Sequence, residues 1–247
     1  MSAVRSSSPP ARHCLRRLVV AGVVGLALAR TTPARSDDCR SATSVRGIDV
    51  SSFQGDIDWA AVKAAGVAFA FARFSDGVDV LDASFAFNYR AMKRAGLRRG
   101  AYQVFRASID PDAQADLLVR SVLKLGRPDL PLVADVETAD GMSPVELQAR
   151  LLRWSRRVER RSGRRPIIYT SPAMNAVVGT SFGGHHLWLA HYDVDCPRLP
   201  DGWDSWTFWQ HSSAGRVPGI AGDVDLDVFA GSLTELRHFD RLRRRRR

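Results

Sequence analysis

From Val45 onward, short apolar runs alternate with stretches whose apolar residues recur every three or four positions. The runs are RGIDVS at 46–51, AFAFAR at 68–73, RGAYQVF at 99–105, PLVADVE at 131–137, PIIYTS at 166–171, HLWLAHY at 186–192, WTFWQHS at 206–212 and VDLDVF at 224–229. Several are apolar at nearly every position, the pattern of strands buried on both faces. The intervening stretches carry helix-end signals. Asp58 is placed to cap a helix stopping at Gly66, Asp82 one ending near Gly96, and Asp110-Pro111 begins one ended by Gly126. Ser143-Pro144-Val145-Glu146 reads as a capping box with proline at the first helical position. Leu147, Leu151, Trp154 and Val158 continue it as an apolar stripe that Gly163 ends. After Ser171 the helix signals fade and strands follow loops directly. Five strand–helix units followed by three strands predict an α/β fold, an irregular eight-stranded βα barrel in a single domain. An open doubly wound sheet is the structural alternative.

Composition narrows the class. Hydrophobic residues make up 45% and charged residues 25% of the 247 positions, which excludes wholesale disorder, collagen and coiled coil. The net charge of +10 first suggests a nucleic-acid partner, but its location argues otherwise. Residues 1–29 hold four arginines and no acid, and 237–247 hold seven arginines and Asp240. Removing both ends from 36 basic and 26 acidic residues leaves 25 of each, so the body is formally neutral and nucleic acid is not its main partner.

Residues 1–29 read as a signal peptide. Arg5, Arg12, Arg16 and Arg17 precede an apolar run of twelve residues from Leu18 to Ala29, which ends in the small-x-small Ala27-Leu28-Ala29. As a helix that run is about 18 Å long, too short for a bilayer core of about 30 Å. An uncleaved anchor is the other reading. Export to the periplasm or the extracellular space places the chain in an oxidising compartment. Cys39 and Cys196 would then remain as the possible disulfide pair, since Cys14 leaves with the signal. Residues 30–45 form a lead-in, 46–236 the barrel domain and 237–247 a basic tail. The tail is either a solvated charge run or a means of concentrating a monomer on anionic surface polymers.

The candidate chemistry lies in acids at strand ends, where a βα barrel builds its active site. They are Asp49, the pair Asp135 and Glu137, and Asp225. First and eighth strands are neighbours by closure, which should bring Asp49 and Asp225 together. Residues i and i+2 of a strand share a face about 6.5–7 Å apart, so one carboxyl of the Asp135–Glu137 pair should hold its proton above the usual range. Such an acid protonates a glycosidic oxygen while its neighbour stays ionised. Glu137, at the strand tip, is assigned the acid. Phe53, Tyr102, Tyr169, Tyr192, Trp206 and Trp209 also fall near strand ends, where rings either stack on sugars or pack the core. No P-loop or H-E-x-x-H is present. Asp223, Asp225 and Asp227 mimic the start of a calcium loop, but Val228 and Thr234 occupy its glycine and glutamate positions.

The segments GIDVSSFQGDIDW at 47–59, GAYQVF at 100–105, VADVE at 133–137, IIYTS at 167–171, LWLAHY at 187–192, FWQHS at 208–212 and VPGIAGDVDLDVF at 217–229 resemble, in order, glycoside hydrolase family 25, the Chalaropsis-type lysozymes. The resemblance implies a flattened TIM-like (β/α)5(β)3 barrel that hydrolyses the β-1,4 bond from N-acetylmuramic acid to N-acetylglucosamine in peptidoglycan. It implies Glu137 as general acid, assisted by Asp135, with Asp49 and Asp225 completing the acidic cleft. Tyr102, Tyr169, Tyr192 and Trp209 would line the saccharide site, with no metal or organic cofactor. The chain departs from the family pattern at Asp76, at Gln103 and at Asp227, which adds a negative charge beside Asp225. A noncatalytic glycan-binding barrel and a chitin-type hydrolase are the alternative functions.

Overall fold

The computed structural model describes Cys39 and residues 44–239. The expected signal peptide, most of the lead-in and the arginine run lie outside the described residues. In chain order the elements are β1 (Val45–Val50), α1 (Trp59–Ala64), β2 (Phe69–Asp76), β3 (Val80–Leu81), α2 (Phe85–Arg94), β4 (Arg98–Val104), α3 (Pro111–Lys124), β5 (Val133–Asp135), α4 (Pro144–Ser162), β6 (Ile167–Thr170), α5 (Asn175–Val178), β7 (His186–Ala190), β8 (Phe208–Gly215), β9 (Val224–Phe229) and α6 (Leu233–Arg237).

Each of the eight apolar runs contains a strand, and together they close. β1 pairs in parallel with β2 and antiparallel with β9, which excludes the open sheet. The order around the barrel is β1-β9-β8-β7-β6-β5-β4-β2, with the two-residue β3 added antiparallel at the far end of β2. Five βα units followed by β7, β8 and β9 give the (β/α)5(β)3 pattern. β9 runs antiparallel to both neighbours.

Alternation along the strands builds two cores. One face of β2 sends Phe69 and Phe71 into the barrel, where they join Trp188, Phe208 and Phe229. The opposite face sends Ala70 and Ala72 out beneath the helices. Gly47 and Gly100 leave room for these rings, because a Cβ at either position would stand 2.2 Å from Phe69 or Phe71. The helices present matching stripes, and Leu147, Leu151, Trp154 and Val158 of α4 are all buried. Ser143 and Glu146 cap each other's backbone at its start, and Gly163 ends it at φ 74°.

Local features differ from expectation at three places. Asp82 does not cap α2: the N-cap residue is Ser84, and Asp82 Oδ1 instead accepts from the Ser84 N–H at 3.0 Å and hydroxyl at 2.6 Å. Two short helices, α5 and α6, lie in the region where helix signals had faded, and α6 carries its own capping box of Ser232 and Glu235. Finally, Phe239 sits in the segment assigned to the tail, yet it is buried against Phe208 and Phe229 in the barrel floor.

Cys39 and Cys196 are joined, with Cα atoms 5.1 Å apart across 157 positions of sequence. Such a link constrains mainly the unfolded chain. We expect Cys196→Ser to lower stability by about 2–4 kcal/mol, read as a fall in Tm by calorimetry. An unchanged Tm would show that the bond carries no part of the fold's stability.

Candidate active site

The C-terminal ends of the parallel strands gather at one rim. β1 places Asp49 there, β4 Tyr102, β5 Asp135 and β6 Tyr169. Asp225 reaches the same rim by a different route from the one expected. It stands at the start of β9, not the end, and because β9 is antiparallel its start meets the others' ends, with Asp49 opposite Asp225 in register. Glu137 extends two residues beyond Asp135 and is exposed. The four carboxyls therefore line one cleft of about 210 Å3.

Gln210 of β8 organises the floor of this cleft. Its Nε2 donates to Asp49 Oδ2 at 2.6 Å, while its Oε1 accepts from the hydroxyls of Tyr169 at 2.7 Å and Tyr192 at 2.6 Å. One amide thus orients a carboxyl and two aromatic walls. Sequence reading passed over it, although its alternation with Phe208 marked it as an inward position. The same alternation corrects the assignment of Trp209. Phe208 and Gln210 face the barrel interior, so Trp209 faces out; it is fully buried, donates Nε1–H to the His191 carbonyl at 2.8 Å and does not line the cleft. Tyr102, Tyr169 and Tyr192 do line it. Phe53, at 82% exposure, stands at its edge with the Arg73 guanidinium 4.9 Å from its ring. Gln103 points away from the cleft, accepting from Trp154 Nε1 at 3.0 Å and donating to Ser75 and Gly77.

The loop after β5, which carries Glu137, is pinned by charge. Arg106 bridges Asp76 through Nε and Nη2 at 2.5 Å each and reaches Asp140 at 3.4 Å. Asp140, at φ 48°, also accepts from the Ala107 N–H at 2.6 Å. Asp76 therefore serves to hold the loop through Arg106.

Burial and mutual repulsion set the electrostatics. Burial, then the charge of Asp225, pushes the Asp49 carboxyl well above its ordinary range. Burial, then Glu137, does the same to Asp135. Burial, then Glu137, lifts Asp225 to about 6. Asp135 Oδ1 is buried without a protein donor. The cluster costs stability as it ionises. For Asp225 the folded value of about 6 lies above the ordinary 3.8, so its contribution is complete below pH 3.8 and is lost as pH rises through 6. The Tm advantage of Asp225→Asn over the parent should therefore grow from pH 4 to pH 7, at about 2–4 °C per kcal/mol. A pH-independent difference would place the cost elsewhere. Among the described residues no cluster of three or more His, Cys, Asp or Glu is arranged to hold a metal ion.

The family model for glycosyl hydrolases family 25 matches residues 48–220. A lysozyme M1 of Streptomyces globisporus is 35% identical over 207 residues, covering 78% of this chain and 70% of that protein. The uncharacterized protein YegX of Escherichia coli K12 is 37% identical over 203 residues, covering 79% and 73%. Among solved structures, a bacterial lysozyme of Streptomyces coelicolor superposes with a TM-score of 0.73 at 34% identity, covering 78% of this chain and 95% of that one. The family match spans the βα units and reaches both Asp49 and the Asp135–Glu137 pair, and the chain belongs to glycoside hydrolase family 25.

Proposed function

We propose that the protein is an exported lysozyme that hydrolyses the β-1,4 bond between N-acetylmuramic acid and N-acetylglucosamine in peptidoglycan. The observation that carries the chemistry is the pairing of an exposed Glu137 with a buried Asp135 whose Oδ1 lacks a protein donor. Glu137 gives its proton to the glycosidic oxygen. Asp135 accepts the N–H of the substrate's 2-acetamido group, whose carbonyl oxygen attacks the anomeric carbon as the leaving sugar departs. Glu137 then takes a proton from the water that opens the cyclic intermediate. Asp49 and Asp225 stabilise the positive charge that develops on the ring and acetamide. Tyr102, Tyr169 and Tyr192 hold the sugars, and Phe53 offers an exposed stacking face at the cleft edge.

The polymer lies outside the cytoplasmic membrane, which agrees with a signal peptide at 1–29 and with the Cys39–Cys196 bond. The chain acts as a monomer, and the arginine tail concentrates it on anionic wall polymers in a salt-dependent way. Mass spectrometry of products from defined peptidoglycan tests the reading. Fragments with muramic acid at the reducing end are expected. Oligomers released from chitin alone would move the substrate to N-acetylglucosamine polymers, and binding without cleavage would mark a noncatalytic barrel.

A further inference from the structure

β9 reads Asp225, Leu226, Asp227, Val228, Phe229, so both acids share its barrel-facing side with Phe229. Asp225 stands opposite Asp49, and Asp227 stands opposite Gly47, one step deeper. Asp227 is 1% exposed. Its Oδ1 accepts from Trp188 Nε1 at 2.8 Å, and its Oδ2 is buried without a protein donor. No Lys, Arg or His forms an ion pair with it among the described residues. The group that meets it side chain to side chain is the Asp49 carboxyl. An ionised carboxylate here would face another acid with neither a counter-charge nor enough donors, which is strongly unfavourable. A neutral acid is satisfied: one oxygen accepts from Trp188 and the other donates.

We propose that Asp227 is a neutral carboxylic acid that donates its Oδ2 proton in a hydrogen bond to Asp49, and is thereby a positioning residue for the Asp49–Asp225 pair. The relay runs from the Trp188 indole N–H to Asp227 Oδ1, and from Asp227 Oδ2–H to Asp49. Gln210 Nε2 supplies the second donor to Asp49. The titratable groups facing Asp227 are Asp49 from β1 and Asp225 from its own strand. From β7 and β8 it meets the neutral Trp188 and Gln210, and the nearby β2 side chains are the uncharged Phe69, against Gly47, and Phe71, stacked on Trp188 at 4.5 Å. Burial, then the Asp49 charge, keeps the Asp227 proton on. In return, donors from Gln210 and Asp227 oppose the upward push that burial and Asp225 exert on Asp49. Asp227 therefore adds no negative charge to the cleft, contrary to the sequence expectation.

This inference rests on the placement of Asp49 in the catalytic cleft, and its test separates the two. Asp227→Asn keeps an acceptor for Trp188 and a donor for Asp49. It should retain kcat and KM within about threefold, with an unshifted pH profile. Asp227→Ala removes the donor, so the limb of the profile that reports the Asp49–Asp225 pair should move to higher pH, and kcat should fall at least about tenfold with KM little changed. An Asn variant as impaired as the Ala variant would show that Asp227 acts as a charge, and would overturn the proposal. The parent protein gives a readout that needs neither variant nor substrate. The Trp188 indole N–H resonance should show no acid-to-carboxylate titration between about pH 5 and pH 8. A full titration in that window would overturn the proposal even in an active enzyme.

Discussion

Glu137→Gln should leave a folded protein that still binds wall polysaccharide and whose turnover falls by roughly 10³-fold. Glu137 is exposed at the cleft and makes no hydrogen bond or ion pair with other described residues. Its replacement therefore removes no contact from the fold and relieves its repulsion of Asp135 and Asp225, so Tm should stay level or rise slightly. Glutamine keeps the shape and polarity but cannot release a proton to a departing oxygen, so the loss falls on kcat and leaves KM nearly intact. Loss of turbidity from purified cell walls, followed for the two proteins at matched concentration, measures it. Equal clearing would remove Glu137 from the acid role and turn attention to Asp225, whose value of about 6 also suits proton donation near neutrality.

Asp135→Asn should have the larger effect on stability. Asp135 is buried, and burial followed by the nearby Glu137 charge holds its proton above the ordinary range. The folded state thus binds its proton more tightly than the unfolded chain does. The stability it contributes is complete at low pH and is lost as pH rises, so a neutral isostere should raise Tm, and by more at pH 7 than at pH 5. Activity should fall by about 10²–10³, because the asparagine carboxamide lacks the negative charge that orients the acetamide and balances the cation formed from it. Calorimetry and turnover measured on one preparation check both halves. A variant that loses activity without gaining stability would mean that Asp135 is already relieved by a partner. A glycosyl adduct trapped on an aspartate would replace the acetamide route by direct carboxylate attack.

Much of this was readable along the chain because its determinants are local. Runs such as AFAFAR and PIIYTS declare strands by burial on both faces, and Ser143 and Glu146 declare the start of α4 by capping each other. The departures arise where the deciding contact is distant in sequence. The direction of β9 depends on pairing with β1 and β8, so Asp225 reached the correct rim from the opposite end of its strand. Gln210, not Trp209, faces the cleft, because the phase of alternation, fixed by Phe208, decides which side chain of β8 points inward. Asp82 sits at a capping position, yet it is held by Arg73 at 3.1 Å and by the Ser52 backbone N–H at 2.8 Å, both from other elements. The protonation of Asp227 belongs to the same class, since nothing in VDLDVF announces that Trp188 and Asp49 meet that side chain.

The antiparallel β9 has one more consequence, for biosynthesis. The strand that seals the barrel joins Val45 to Phe229, nearly the full span of the described body, and the floor is completed only by Phe239. Partial barrels emerging from the ribosome cannot bury their interior rings, so cooperative folding waits for β9 and is slowed by the long loop that must close. That delay leaves the newly made chain without a closed barrel until β9 and Phe239 have been synthesised.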